Sequence, residues 1–350
     1  MKATYKKYNL IFKRPSGTSR GVLTTKETWF IIIEEKDKKG IGECGLFRGL
    51  SIDDVPDYEE KIKWTIANIH LGLETLLDEL VFFPSIQFGL EQAFLSLNSE
   101  NSFSLLPSNF TSNNASIPIN GLVWMGDEYF MLQQIEEKLQ QGFNCIKLKI
   151  GAIDFDKELA LLKSIRKRYT PEEIELRVDA NGAFSIEEAS SKLKQLAQFK
   201  IHSIEQPIKQ GAILDMKALC STTPLPIALD EELIGVFTIA EKEKLLQTIM
   251  PQYIILKPSL VGGFKGSLEW ITLAKKYNIG WWITSALESN IGLNAIAQWT
   301  YTLSSKMHQG LGTGALFTNN FTSPLYVENG ELFYSKFVGW QNNLIEDLCI

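Results

Sequence analysis

Apolar and polar positions follow two different rhythms along the chain, and the change falls near residue 117. Before that point, runs of strand-like composition and helical periodicity predict three strands and two helices. The strands are expected at residues 5–14, 27–35 and 39–44, and the helices at 57–78 and 86–97. A polar, Gly-containing segment at 15–21 predicts a loop between the first two strands, and the Ser- and Asn-rich stretch 101–116 predicts a linker. Residues 1–115 are therefore predicted to form an α+β domain.

After residue 117, short apolar runs alternate with helical patterns. Strands are predicted at 117–123, 145–150, 175–178, 202–204, 227–229, 253–256 and 280–283. Because parallel strands must be joined by crossovers, these seven or eight units over residues 116–310 favour a (β/α) barrel, with an open doubly wound sheet as the alternative. The tail, 311–350, is expected to return to the first domain and to contain a strand at 331–334.

Composition and charge restrict the class of protein. The 350 residues are 45% hydrophobic and 22% charged, with a net charge of −6, which suits a globular protein and argues against a nucleic-acid partner. The apolar runs are too short to span a bilayer, so no membrane partner is expected. The four cysteines are scattered without a C-x-x-C pair. Free thiols and a cytoplasmic location are therefore expected, since the N-terminus also lacks a signal-peptide pattern.

A series of charged residues stands at the ends of the predicted strands. Its members are the lysines Lys147, Lys149 and Lys257 and the acids Asp179, Glu205 and Asp230. Because the carboxyl ends of parallel strands open on one face, we expect these side chains to converge there. Carboxylate oxygens are the ligands of hard cations, so the acids predict a Mg²⁺ site, with Mn²⁺ as a substitute.

Members of this series also have plainer interpretations. Lys147 and Lys149 point the same way from their strand, either into a shared mouth, where like charge and burial lower a lysine pKa, or into solvent. A single acid after a strand is commonly a helix cap. Asp230 is the first of three consecutive acids, so spacing alone leaves open which of them faces inward. Lys257 ends an apolar strand and needs an acid or an anionic ligand if it is buried.

Further positions are candidate substrate contacts. The turn around Gly263 opens a helix and could present backbone N–H groups to a carboxylate. Ser285 offers a hydroxyl after the seventh strand, whereas Ser289 is better explained as a helix start. Arg20 and Arg48 lie in loops that could close over the site and meet a carboxylate, or could simply be solvated.

Together these motifs resemble the enolase superfamily, in its muconate-lactonizing-type subgroup. The likeness covers nearly the whole chain and includes K-x-K at 147–149, R-x-D-x-N-G at 177–182, I-E-Q-P at 204–207, L-D-E at 229–231 and K-P at 257–258. The resemblance implies a (β/α)7β-type barrel with an α+β capping domain, which the N-terminal part and the C-terminal tail form together.

The resemblance also implies roles for individual residues. The three acids would bind Mg²⁺, and the expected partner is a small-molecule carboxylate. Lys149 and Lys257 would flank that substrate on opposite faces. Lys149 would remove a proton α to the carboxylate, Lys257 would stabilise the enediolate, and Lys147 would tune Lys149.

Within the subgroup, residues 285–292 and 310–317 look most similar to the o-succinylbenzoate synthases of menaquinone biosynthesis. Dipeptide epimerases usually carry a D-x-D on the last strand, and none follows Lys257, which lowers that alternative. N-succinylamino-acid racemization stays open, because some relatives of the synthase catalyse both reactions. A barrel that keeps the metal site as a binding or scaffolding protein is a further alternative, and the retained lysines argue against it.

Overall fold

The computed structural model describes residues 1–18 and 21–348. An antiparallel sheet and three helices form its first part, which we call the N-terminal region. The strands are β1 (Lys2–Thr18), β2 (Gly21–Glu35) and β3 (Lys38–Cys44), and the helices are α1 (Tyr58–Ala67), α2 (Leu73–Glu79) and α3 (Pro84–Asn98). Trp29, Ile31 and Ile33 share one face of β2 and are buried against these helices, as the two-residue period of a strand requires.

The predicted loop at 15–21 is wrong over most of its length. Gly17 pairs with Val22 and Thr18 pairs with Gly21, so both strands extend into this segment. Gly17 also bridges to Met125, whose carbonyl oxygen would lie 2.8 Å from a Cβ at this position. A polar segment can extend a ladder in this way where a second backbone approaches it closely, and glycine permits that approach.

The helix predicted at 57–78 is interrupted. A short 3₁₀ turn at Ile69–Leu71 separates α1 from α2. Helix α1 ends at Ala67, and Gly72, which has a φ of +81°, is the N-cap of α2. Glycine reaches this non-helical backbone conformation without the steric cost that other residues meet, so α2 begins there as a separate helix.

The strand predicted at 117–123 is divided in two. β4 (Ile117–Pro118) belongs to a small antiparallel sheet, whereas β5 (Gly121–Val123) starts a seven-stranded parallel sheet. The other parallel strands are β6 (Cys145–Lys149), β7 (Glu175–Asp179), β8 (Ser203–Glu205), β9 (Ile227–Leu229), β10 (Tyr253–Leu256) and β11 (Gly280–Ile283). Strands that follow one another in sequence are neighbours in the sheet, as crossover connections predict.

A helix follows each parallel strand. These helices are α4 (Glu128–Gln140), α5 (Phe155–Arg166), α6 (Ile186–Ala197), α7 (Ile213–Thr222), α8 (Ile239–Ile249), α9 (Gly263–Lys276) and α10 (Asn290–Thr302). Short 3₁₀ turns at Glu231–Leu233 and Pro258–Leu260 precede α8 and α9. Helices α6 and α8 begin with capping boxes, in which Ser185 pairs with Glu188 and Thr238 pairs with Glu241.

The parallel sheet is curled, because one short segment contacts both of its edges. Gly310 forms a parallel bridge with Thr284, just beyond β11. Gln309 forms a parallel bridge with Ile119, next to β5, and its side chain accepts a hydrogen bond from Ile283 N at 2.7 Å. The molecule is therefore an α/β fold with a curled parallel sheet.

The C-terminal tail divides between two places. β12 (Leu325–Glu328) and β13 (Glu331–Tyr334) pair with each other, and β13 pairs with β4. The predicted strand at 331–334 is therefore present, but it lies beside the parallel sheet. Phe321 and α11 (Leu344–Leu348) instead pack with Phe30 and Ile32 of the N-terminal region.

Two sequence expectations concern the molecule as a whole. Within residues 1–18 and 21–348, no helix is both long and apolar enough to cross a bilayer. Cys44, Cys145 and Cys220 are buried free thiols, as predicted, while Cys349 lies outside the described residues.

Candidate active site

Strand register brings the predicted site residues together at the carboxyl end of the parallel sheet. Lys149 on β6 is directly opposite Asp179 on β7, and Asp179 is opposite Glu205 on β8. Glu205 is opposite Ala228 on β9, two residues before Asp230. Because these strands end level with one another, the charged residues meet in one row.

The lysines contact the acids directly. Lys147 Nζ lies 2.9 Å from Asp179 Oδ2 and also pairs with Glu205. Lys149 Nζ donates to Asp179 Oδ2 at 2.7 Å, and Lys257 pairs with Asp230. The three acids are at most 2% exposed, so these contacts replace water almost completely.

The acids and lysines shift one another's pKa. Burial lowers the pKa of Lys147, but Asp179 and Glu205 outweigh it and hold that pKa above its usual range. Burial also lowers the pKa of Lys257, but the Asp230 carboxylate and the other nearby acids raise it by more. The pKa of Lys257 is therefore above its usual value. The expectation that crowding lowers a lysine pKa is therefore wrong for these two residues, because the carboxylates dominate.

Glu205 behaves differently from the other two acids. Burial, followed by the neighbouring Asp179 carboxylate, raises the pKa of Glu205 well above its usual range. Its Oε1 atom is buried and finds no hydrogen-bond partner within residues 1–18 and 21–348. A divalent cation held by Asp179, Glu205 and Asp230 would relieve both the repulsion and the unpaired oxygen, so the donor set fits Mg²⁺.

Polar residues next to the acids hold them in place. Asn181 accepts a hydrogen bond from Lys149 Nζ at 2.7 Å and donates to Glu231 Oε1 at 2.9 Å. Gln206 donates to Glu232 Oε2 at 2.9 Å, and its Oε1 accepts from Asp230 N at 3.3 Å. Gln206 is a site residue that the sequence argument missed, although it directly follows Glu205.

The same contacts show which of the three consecutive acids, residues 230–232, lies in the charged row. Asp230 pairs with Lys257, Glu231 accepts from Asn181, and Glu232 accepts from Gln206. Asp230 is thus the acid that lies beside a lysine of the row, as the end of the apolar run predicts.

A cavity opens above the row of charges. Lys147, Lys149 and Lys257 line its floor, and Ser285 lines its wall, where the hydroxyl pairs with Thr313 Oγ1 at 2.7 Å. Apolar residues supply much of the remaining wall, namely Phe47, Leu50, Trp124, Trp282, Leu287 and Leu316. The cavity can therefore hold an apolar ring above a charged floor.

Gly263 does not line this cavity. The N–H groups of the next two residues, Phe264 and Lys265, donate to the Glu91 carboxylate on α3. The prediction that this turn presents its N–H groups to a substrate carboxylate is corrected: an internal carboxylate already accepts them.

Three other predicted positions have different outcomes. Ser289 is the N-cap of α10, as predicted, and its side chain accepts from Ile291 N. Arg48 pairs with Glu27 and Asp54 rather than with a residue of the charged row. Arg20 lies outside the described residues.

Comparison with known proteins supplies the family. The model of the Enolase C-terminal domain-like family matches residues 131–340. The chain belongs to the enolase superfamily. Enzymes of this superfamily generally use Mg²⁺, which agrees with the oxygen donors at the mouth of the sheet.

Individual members of the superfamily are also similar. An o-succinylbenzoate synthase from Desulfotalea psychrophila is 48% identical over 95% of this chain and 98% of that protein. The crystal structure of MenC from the same organism has a TM-score of 0.85 and 44% identity, over 95% of this chain and 99% of that one. The L-Ala-D/L-Glu epimerase from Bacillus subtilis has a TM-score of 0.80 at 20% identity, over 95% and 96%, and shows the fold alone.

Proposed function

We propose that this protein is an o-succinylbenzoate synthase. It would catalyse the Mg²⁺-dependent syn-dehydration of 2-succinyl-6-hydroxy-2,4-cyclohexadiene-1-carboxylate to o-succinylbenzoate, a step of menaquinone biosynthesis. The observation that carries the proposal is the near full-length match to the Desulfotalea synthase. The charged row beneath a partly apolar cavity supports it, because the substrate joins a carboxylate to a six-membered ring.

We assign the architecture on the same basis. The curled parallel sheet, residues 116–310, would be a (β/α)7β barrel, with the segment at Gln309 and Gly310 closing it. Residues 1–115 and the tail from 311 would form the capping domain. The packing of Phe321 and α11 on the N-terminal region supports the return of the tail.

Asp179, Glu205 and Asp230 would hold Mg²⁺, or Mn²⁺ as a substitute. The bound cation would supply electrostatic stabilisation for negative charge that develops on the substrate carboxylate. The unpaired Glu205 Oε1 supports this assignment, because a buried carboxylate oxygen without a partner is costly.

Lys149 would be the base. In its neutral form, Lys149 Nζ takes the proton from the carbon α to the carboxylate, and the electron pair of that C–H bond forms the enediolate. The C–O bond of the ring hydroxyl on the same face then breaks, and the proton on Lys149 passes to the departing hydroxide to make water. The ring becomes aromatic, and Lys149 is neutral again.

The two other lysines would act without exchanging protons. Lys257, an ammonium paired with Asp230, would stabilise the enediolate electrostatically. Lys147, an ammonium between Asp179 and Glu205, would tune Lys149, which stands two residues further along β6. Ser285 would contact the substrate from the cavity wall, and we keep Arg20 as a proposed contact of the succinyl carboxylate.

The direct test is turnover by the purified full-length protein. With MgCl₂ present, we expect loss of the cyclohexadiene absorbance and formation of o-succinylbenzoate, which chromatography identifies. With EDTA in excess we expect neither. Wild-type protein that is folded and Mg²⁺-loaded but leaves the diene unchanged would falsify the proposed reaction.

N-succinylamino-acid racemization is a second candidate, because Lys149 and Lys257 both face the row of acids and could serve opposite faces of one carbon. Incubation of an N-succinylamino acid in D₂O tests it, since racemization incorporates deuterium at the α-carbon. Exchange without diene turnover would favour the racemase. Exchange of neither substrate would favour a non-catalytic scaffold, and the absence of D-x-D after Lys257 disfavours a dipeptide epimerase.

A further inference from the structure

Glu43 connects the N-terminal region to the start of α10. Its Oε1 accepts from Thr28 Oγ1 at 2.8 Å and from Ser289 N at 3.0 Å. Its Oε2 accepts from Ser289 Oγ at 2.5 Å and from Gly292 N at 3.0 Å. Glu43 is fully buried. Since the first N–H groups of a helix have no partner within the helix, a carboxylate from β3 completes the N-terminus of α10 from outside.

Glu91 makes the equivalent connection to α9. This residue of α3 is 7% exposed, and its carboxylate accepts from Phe264 N and from Lys265 N, the latter at 2.9 Å. A Cβ on Gly263 would lie 2.0 Å from Glu91 Oε2, so the glycine makes room for the carboxylate. The turn at Gly263 and the start of α10 are therefore each filled by an acid of the N-terminal region.

Both helices follow strands that carry site residues. Helix α9 follows β10 and Lys257, and α10 follows β11 and Ser285. On the other side of the junction, Glu43 is only a few residues before Phe47 and Leu50, which line the cavity from the N-terminal region. The two carboxylates thus lie at the junction between the N-terminal region, which supplies Phe47 and Leu50 to the cavity, and the strand ends that supply Lys257 and Ser285.

A third buried acid links the two strand-end loops to each other. Glu288 Oε1 accepts from Ser259 Oγ at 2.6 Å, and its Oε2 accepts from Ala286 N at 2.7 Å. Glu288 directly precedes Ser289, the N-cap of α10, and Ser259 is two residues after Lys257. A displacement of α10 would therefore also move the loop that follows β10.

We infer that Glu43 and Glu91 are positioning residues of the active site. They hold the N-terminal region on α9 and α10, and so set where Phe47 and Leu50 stand relative to Lys257. Neither residue lines the cavity above the row of charges. The effect on turnover rests on the proposed function, whereas the effect on the two helix starts does not.

The first experiment separates positioning from stability by kinetics. Glu43→Gln and Glu91→Gln keep the side-chain shape but put an NH₂ donor against a backbone N–H. For each variant we expect KM for the cyclohexadiene substrate to rise about tenfold and kcat to change less than about threefold. A merely structural role would lower the active fraction, which reduces kcat and leaves KM unchanged.

Glu241→Gln is the matched control. Glu241 also accepts hydrogen bonds at a helix start, but it is exposed and caps its own helix, α8. We expect wild-type KM from this variant. A KM increase equal to that of the other two variants would assign the effect to helix capping in general.

The second experiment does not depend on turnover. Hydrogen–deuterium exchange of the full-length variants is followed in peptides that cover residues 262–266 and 286–293. We expect exchange at least about tenfold faster at 286–293 in Glu43→Gln and at 262–266 in Glu91→Gln. Wild-type exchange at both sites, with unchanged KM, would overturn the inference. If the wild type leaves the substrate unchanged, the proposed function fails, and the exchange experiment still tests whether the two carboxylates hold the helix starts. If Glu43→Gln does not fold, Glu91→Gln tests the inference by the same criteria.

Discussion

Two groups of buried carboxylates in the described residues have different partners. At the mouth of the parallel sheet, Asp179, Glu205 and Asp230 pair with lysine side chains, and one oxygen of Glu205 has no partner among the described residues. The acids there are held by flexible side chains that can exchange one ligand for another. That part of the molecule is suited to binding a cation and a substrate.

At the junction with the N-terminal region, the acids are instead held by the backbone and by hydroxyls. Each oxygen of Glu43, Glu91 and Glu288 accepts at least one hydrogen bond from a backbone N–H or from a Ser or Thr hydroxyl. These donors cannot leave unless a helix or a loop moves. Buried acids with lysine partners can therefore exchange one ligand for another, whereas buried acids with backbone and hydroxyl partners hold two segments together.

Lys149 is the residue of the sheet mouth at which we expect the largest effect of a substitution. We expect Lys149→Ala to lower kcat for dehydration by about 10²–10⁴-fold, the usual contribution of a general base, while the protein stays folded. The measurement is o-succinylbenzoate formation at saturating Mg²⁺. Lys138→Ala is the control, because Lys138 lines the same cavity but contacts Gln141 rather than the acids. Loss of less than tenfold in Lys149→Ala would remove Lys149 as the base.

Gly263→Ala tests whether the junction is as rigid as its hydrogen bonds indicate. The new Cβ would require Glu91 to leave the start of α9, and the φ of +71° adds strain, so we expect a loss of about 3 kcal/mol in unfolding free energy. Gly211→Ala is the control, since Gly211 has a φ of +94° but nothing within 4 Å of its Cβ position. Urea unfolding compares the two. Equal losses would show that Glu91 moves at little cost.

Metal binding tests whether the acids of the mouth form a cation site. At a Mg²⁺ concentration 100 times its Kd, we expect the unfolding free energy to increase by about 2.7 kcal/mol, and EDTA to reverse the increase. Glu205→Gln should reduce the increase, because it removes one ligand charge. Thermal unfolding across a Mg²⁺ series measures both. The same Mg²⁺ response in Glu205→Gln and the wild type would contradict the assignment of Glu205.

Asp53 is a buried acid that belongs to neither group. It lies in the N-terminal region, its Oδ1 finds no partner in residues 1–18 or 21–348, and burial raises its pKa to about 6. The native protein therefore keeps a proton that the unfolded chain releases near pH 4. Stability due to this group should fall by about 2 kcal/mol as pH rises from 4 to 6.

Asp53→Asn isolates that effect. Ser85 donates to Asp53 through one oxygen, Oδ2, which the amide oxygen of asparagine can replace. We expect the variant to lose the corresponding part of the pH dependence when urea unfolding is measured at pH 4, 5, 6 and 7. A pH profile identical to that of the wild type would show that Asp53 titrates normally.

Much of the parallel sheet and its row of charges follows from the sequence. Each strand is a short apolar run with a crossover of regular length after it, so Lys149, Asp179 and Glu205 had to end neighbouring strands on the same face. The register that sets them opposite one another is decided by the same apolar runs, because a slip of one residue would turn charges into the core.

The partners of the charges depended on tertiary structure. Spacing cannot show that Lys147 pairs with two acids and keeps a raised pKa, since that result comes from distances across three strands. The turn at Gly263 also has a partner that only tertiary structure reveals. Its sequence predicts an anion site correctly, but the anion is Glu91, 172 residues earlier in the chain.

Strand periodicity and helix starts are local properties, so the order of residues is enough to predict which residues end the parallel strands and that the turn at Gly263 can bind an anion. Tertiary structure alone decided which anion fills each turn, which lysine faces which acid, and that residues 15–18 extend a strand against Met125. These outcomes depend on contacts between distant segments, and the energy of a buried charge is set by the groups that surround it in space.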